Sequence, residues 1–242
     1  MTNQPIQNIY DNPDFFAGYS ALRNNEQGFN AVLEQPAIRA LLPPLKGLDI
    51  LDIGCGFGDF CRYAREEGAV SVLGIDVSEK MLAVAQEKTQ DVAIEYQCVP
   101  IEKFTTSKTF DVIVSSLTFH YVEDYVALCQ KLYSWLNSNG TLVFSVEHPI
   151  CTAYSSGVHI TQADIWPIKN YRDEQQFLQT WFVEGVVKYH RTLQTYLNTL
   201  LETGFTLQKV LEPMPTDAQI EQQSRLAIHK TRSPLLVVKA AK

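Results

Sequence analysis

Residues 48–60 read LDILDIGCGFGDF, a short aliphatic run that breaks into Gly54, Gly56 and Gly58 just before a helix signal at Asp59. Glycines there let the backbone turn tightly and admit a ligand with no side chain in the way. The helix that follows offers free N–H groups at its first turn. In open α/β sheets, ligands bind outside the carboxyl ends of the strands, and the turn after the first strand is the usual place. One segment therefore predicts both a fold class and the position of a binding site.

The flanking sequence extends that pattern. SVLGID, IEYQCV, FDVIVSS and TLVFSVEH are further aliphatic runs, and amphipathic stretches separate them. Phe60, Tyr63 and Ala64 recur at helical spacing before Gly68. Ser78 caps a helix carrying Met81, Leu82 and Ala85 on one face, and residues 124–136 form another, with Asn139-Gly140 as its end signal. Strands that alternate with helices and are apolar on both faces make a parallel sheet covered on both sides. The expected fold is α/β and doubly wound, with a mostly parallel, seven-stranded sheet. Residues 192–203 supply a later helix, and residues 205–211 and 235–240 the last strands.

The organisation expected is one domain over residues 1–242. It comprises an N-terminal helical segment (1–40), a cofactor-binding core (41–148), an insertion (149–188), and a C-terminal helix with the last strands (189–242). The insertion is rich in aromatics, including Trp166, Tyr171, Phe177, Trp181 and Phe182, and shows no helical period. A segment of that length after a central strand reads as a lid over the strand ends.

Composition narrows the partners. The net charge of −7 argues against a surface built to neutralise phosphates, although residues 225–242 are locally basic. No apolar run approaches a membrane span, and the first residues lack the pattern of a signal peptide. Five cysteines form no CxxC pair, which fits reduced thiols in a cytoplasm better than disulfides or a zinc site. No metal site is expected, and monomer and dimer both stay open.

The glycine spacing is G-x-G-x-G. A dinucleotide fingerprint needs G-x-G-x-x-G, and a P-loop needs GxxxxGK[ST]. Asp76 ends the second strand about twenty residues on, where a carboxylate can accept both hydroxyls of a ribose. LDIGCGFG, GIDVSEKML, FDVIVSSLTFHYVED and LNSNGTLVFSVEHP, in that order, resemble the class I (Rossmann-like) S-adenosylmethionine-dependent methyltransferases of the small-molecule type. Beyond Pro149, VVKYHRTLQTYLNTLLETGF and LEPMP resemble an uncharacterised bacterial branch of that family.

The resemblance implies S-adenosyl-L-methionine as cofactor, S-adenosyl-L-homocysteine as product and a small-molecule acceptor methylated on O, N or C. Asp52, Gly54, Cys55 and Gly56 match the motif that holds the methionine part. Asp76 matches the ribose-binding acid, and Val77 and Met81 would pack on the adenine. Where related chains place an aspartate against the adenine amino group this one has Pro100, so the contact falls to Glu102 or the backbone of Ile101. Ser115 and Ser116 follow the fourth strand, beside the sulfonium end. Tyr19 and Arg23 are candidates for the cofactor carboxylate.

Methyl transfer from a sulfonium is an in-line displacement, so the protein mainly aligns the reactants and adds a base if the nucleophile starts protonated. His148, after the fifth strand, is the candidate base, with bonding of its own turn as the alternative. His120 faces substrate or caps a helix. His190 and Arg191 sit where the insertion returns to the core, and Arg191 pairs with a substrate carboxylate or with one of the chain's own acids. Tyr121 and Trp166 are the aromatic substrate contacts expected. The rival functions are a tRNA-modifying methyltransferase, a nicotinamide-dependent oxidoreductase and a non-catalytic cofactor-binding protein.

Overall fold

A computed structural model describes residues 6–23, 29–153 and 168–242. Trp166 lies outside the described residues. The chain opens with helix α1 (Pro13–Arg23), then a π-helical turn, Asn30–Glu34, that runs into α2 (Gln35–Leu41). An alternating core follows: β1 (Asp49–Ile53), α3 (Asp59–Glu66), β2 (Ser71–Asp76), α4 (Glu79–Glu87), β3 (Ile94–Cys98) and β4 (Phe110–Ser115). A 3₁₀ turn, Phe119–Tyr121, leads to α5 (Tyr125–Trp135), β5 (Leu136–Glu147) and the single turn α6 (Pro149–Thr152). The remainder holds β6 (Gln176–Trp181), β7 (Val183–Tyr189), α7 (Leu193–Thr203), β8 (Thr206–Leu211), α8 (Asp217–Gln222) and β9 (Leu235–Ala241).

The main sheet has seven strands in the order β3-β2-β1-β4-β5-β9-β8, and β9 runs antiparallel to both its neighbours. The order reverses between β1 and β4, which leaves a crevice at their carboxyl ends. The expected doubly wound, seven-stranded architecture is the one observed. Each face of the sheet buries its own cluster. Ile53, Ile113, Phe144 and Trp135 lie in one, and Ile50, Val112, Phe60 and Ala64 in the other. Near-continuous burial along β1, β4 and β9 explains why their sequences are apolar rather than alternating.

Two local expectations change. The helix signal over 124–136 ends at Trp135, not at Asn139-Gly140. Leu136 is 1% exposed and pairs with Phe110, so the chain turns extended at once. Asn139, with φ 66°, then sits inside β5, where the register with β4 shifts. The insertion is also less irregular than its sequence. Residues 176–189 form an antiparallel hairpin, β6–β7, turned at Phe182 with φ 58°. That turn carries no Asn-Gly or Asp-Gly signal, which is why periodicity missed it.

Candidate functional site

A cavity of about 640 Å³ opens where the strand order reverses. Gly54 and Gly56 form its floor with φ of 73° and 52°. A Cβ on Gly54 would stand 2.1 Å from Thr118 Oγ1, so only glycine fits that approach. Asp76 lines the cavity from the end of β2. Its Oδ2 accepts the Gly56 N–H at 2.8 Å and its Oδ1 accepts the Ser78 N–H at 2.9 Å. A carboxylate can accept about four hydrogen bonds, so acceptor capacity is left on a residue that lines the cavity. Burial raises the Asp76 carboxyl above its ordinary value, against the backbone hydrogen bonds that lower it.

The N-terminal segment roofs the cavity. Asp11 reaches across to the start of α4, accepting the Ser78 hydroxyl at 2.6 Å and the Lys80 N–H at 3.1 Å. Gln7 pairs both ways with the backbone of Val187 in β7, at 2.6 and 3.2 Å. Tyr10, Tyr19 and Trp181 close the aromatic wall between α1 and the hairpin, with ring centroids 5.2 and 6.0 Å apart in successive edge contacts.

Of the residues singled out from sequence, the structure brings Tyr19, Gly54, Gly56, Asp76, Val77, Met81, Ile101, Glu102, Ser116, His120 and Tyr121 to this one cavity. Pro100 lines it as well. The others stand elsewhere. Asp52 is 2% exposed beneath the glycine turn and accepts the Cys61 thiol at 3.3 Å, and burial pushes its carboxyl up to about 7. Cys55 is buried there too. Ser115 donates to the Ile53 carbonyl and ties β4 to β1. Arg23 does not line the cavity; it pairs with Asp59 at 2.8 Å.

His148 is also absent from the cavity wall. Its Nδ1 accepts the Ile150 N–H at 3.1 Å as the cap of α6, and its Nε2 meets Glu212 Oε1 at 2.6 Å. A neutral imidazole has one acceptor nitrogen, and the cap uses it. This geometry favours the turn-bonding alternative over the base. His190 is engaged in the same way, with Nε2 on the Tyr171 carbonyl and Nδ1 on the Thr152 hydroxyl. Arg191 binds the carbonyls of Val122 and Glu123 and faces a separate hollow with Glu123, Asp124 and Glu174.

Sequence reading missed several groups. Glu34, fully buried, accepts the hydroxyls of Ser116 and Ser145 at 2.7 and 2.6 Å and so pins the ends of β4 and β5. Lys188 is 1% exposed, pairs with Glu147 and lies 5.2 Å from the Trp181 ring. Beside it, His120 is 2% exposed and its Nδ1 has no hydrogen-bond partner among the described residues. Burial pushes the His120 imidazole down to about 3; the Lys188 and Arg191 cations add to this and Glu147 opposes it. The ring is therefore neutral at physiological pH.

Comparison with known proteins fits this geometry. Residues 51–144 match the family model described as a methyltransferase domain. The crystal structure of an S-adenosylmethionine dependent methyltransferase from Mesorhizobium loti is 44% identical, with a TM-score of 0.80. The match covers 86% of this chain and 97% of that one. The chain belongs to the S-adenosylmethionine-dependent methyltransferases. An uncharacterised protein from Haemophilus influenzae is 37% identical over 97% of this methyltransferase and 96% of its own length. A malonyl-[acyl-carrier protein] O-methyltransferase from Acetivibrio thermocellus is 30% identical over 99 residues. That is 40% of this chain and 35% of the relative.

Proposed function

We propose that this methyltransferase carries the methyl group of S-adenosylmethionine to a small-molecule acceptor held in the same cavity. The observation that carries the reading is Asp76, a carboxylate with acceptor capacity to spare that lines the same cavity as the Gly54–Gly56 floor. The residues present fit the cofactor. Asp76 would take the ribose hydroxyls, and Val77, Met81 and Ile101 would cover the adenine. The Gly54–Gly56 backbone would take the methionine part, with Tyr19 near its carboxylate. Arg23 is spent on Asp59 and drops out of that role.

When bound, the cofactor would supply a methyl group on a positively charged sulfur, activated for displacement by an acceptor lone pair. The protein's task is alignment, worth about 7–11 kcal/mol in well-oriented reactions. Glu34 contributes by fixing Ser116 and Ser145, and the Gln7–Val187 bonds hold the roof on the hairpin. His148 acts on structure, through the cap of α6. The test is a metabolite extract incubated with the purified protein and methyl-labelled cofactor. Label in a low-mass product supports the reading; label recovered only in tRNA or protein, or in nothing, contradicts it.

A further inference from the structure

Glu147 ends β5 and lines the cavity three strands along the sheet from Asp76, at the end of β2. Its neighbours Val146 and His148 are buried, yet 29% of the Glu147 side chain is accessible. Lys188 takes one carboxylate oxygen, Oε1. The other, Oε2, has no hydrogen-bond partner among the described residues and is not one of the unpaired atoms sealed from solvent. Lys188 itself is buried against the rings of Tyr121 and Trp181, whose centroids lie 5.6 and 5.2 Å from its ammonium. What this pair presents to a ligand is therefore the carboxylate.

Charge and basicity narrow what can sit against it. Among the described lining residues the acids are Asp76, Glu102, Glu123, Asp124 and Glu147, and the cation is Lys188. An anion entering here would lose its water and find that cation already covered by Glu147. Burial raises the Glu147 carboxyl, but the Lys188 cation outweighs this and holds it below its ordinary value. A base so weak cannot take the proton of an alcohol. The unpaired nitrogen of His120 is sealed among side chains and cannot serve instead. An amine needs no such base, because its own lone pair attacks once it has shed a proton to water.

We infer that the methyl acceptor is an amine and that Glu147 Oε2 holds its nitrogen. The inference rests on the methyltransferase reading, because it takes the Asp76 side of the cavity to be filled by cofactor. The amine arrives as an ammonium, drawn to the carboxylate, and gives one proton to water. Its lone pair forms the N–C bond as the methyl–sulfur bond breaks, and the electron pair of that bond stays on sulfur. Positive charge passes from sulfur to nitrogen, where the carboxylate already stands to stabilise it.

To test this, a low-mass metabolite extract is divided by ion exchange at pH 7 into cationic, neutral and anionic pools. Each pool is incubated with the full chain and methyl-labelled cofactor. The expected result is label in a product of the cationic pool, abolished when the amines of that pool are acetylated beforehand. Glu147→Gln lowers this labelling rate at least about tenfold and leaves S-adenosylhomocysteine affinity, read by calorimetry, within about twofold. Glu147→Asp, which keeps the charge, retains more of the rate than Glu147→Gln. If Glu147→Gln fails to fold with Lys188 left unpaired, the double variant Glu147→Gln, Lys188→Met removes both charges and shows the same loss. Label confined to the neutral or anionic pool, label that survives acetylation, or full labelling by a variant lacking the carboxylate overturns the inference. Failure of S-adenosylhomocysteine to bind the unaltered protein would instead overturn the methyltransferase reading beneath it.

Discussion

Asp52 and His148 show how one residue's surroundings set what it can do. Asp52 is held at about 7, far above its ordinary range, because burial disfavours the charge and the anions of Asp76, Asp59 and Glu34 add to it. A carboxyl raised in the folded state contributes stability below its unfolded value, and that contribution is lost as pH rises toward 7. Asp52→Asn cannot titrate, so its stability relative to the unaltered protein rises between pH 5 and pH 8, by up to about 1.4 kcal/mol per pH unit. Urea unfolding at the two pH values measures this, and an equal difference at both would refute it. For His148→Ala, the lost cap costs about 1 kcal/mol of stability. Turnover with an identified acceptor stays within about twofold, as expected for a group acting through the fold. A large fall in kcat with unchanged cofactor affinity would restore the catalytic base.

At the scale of elements, the start of α4 is a junction between the N-terminal segment and the cavity wall that carries Asp76. Ser78 caps the helix by accepting the Met81 N–H, and Asp11 then accepts the Ser78 hydroxyl and the Lys80 N–H. Asp11→Ala removes a charged acceptor at a helix N-terminus, where the dipole favours it. The expected loss is about 1 kcal/mol in thermal unfolding, with a several-fold fall in S-adenosylhomocysteine affinity as the turn bearing Asp76 loosens. Unchanged affinity would separate Asp11 from the site.

The same scale explains what sequence could show. The Gly54–Asp76 side of the cavity was legible because Gly54, Gly56 and Asp76 lie within a few residues of strand ends, so a strand pattern places them. The opposite side depends on contacts far apart in the chain. Glu147 meets Lys188 across 41 residues, Glu34 meets Ser145 across 111, and Gln7 meets Val187 across 180. No local period encodes such pairs. His148 and His190 looked available because sequence does not reveal that both ring nitrogens are already bonded.

Across the whole molecule, the fold divides the work in two. The parallel core from β1 to β5 provides the glycine floor and Asp76, while α1 and the β6–β7 hairpin close the other side with aromatic rings. The chain is acidic, and the cavity follows suit with one paired cation. The relatives from Mesorhizobium loti and Haemophilus influenzae match both parts, whereas the match to the malonyl-[acyl-carrier protein] O-methyltransferase spans only 99 residues. The measurement that bears most directly on this division is calorimetric titration of S-adenosylhomocysteine into the unaltered protein, Asp76→Asn and Asp76→Ala. One molecule should bind per chain, and both variants, still folded by circular dichroism, should bind at least about tenfold more weakly. No binding to the unaltered protein, or equal affinity in the variants, would contradict the account.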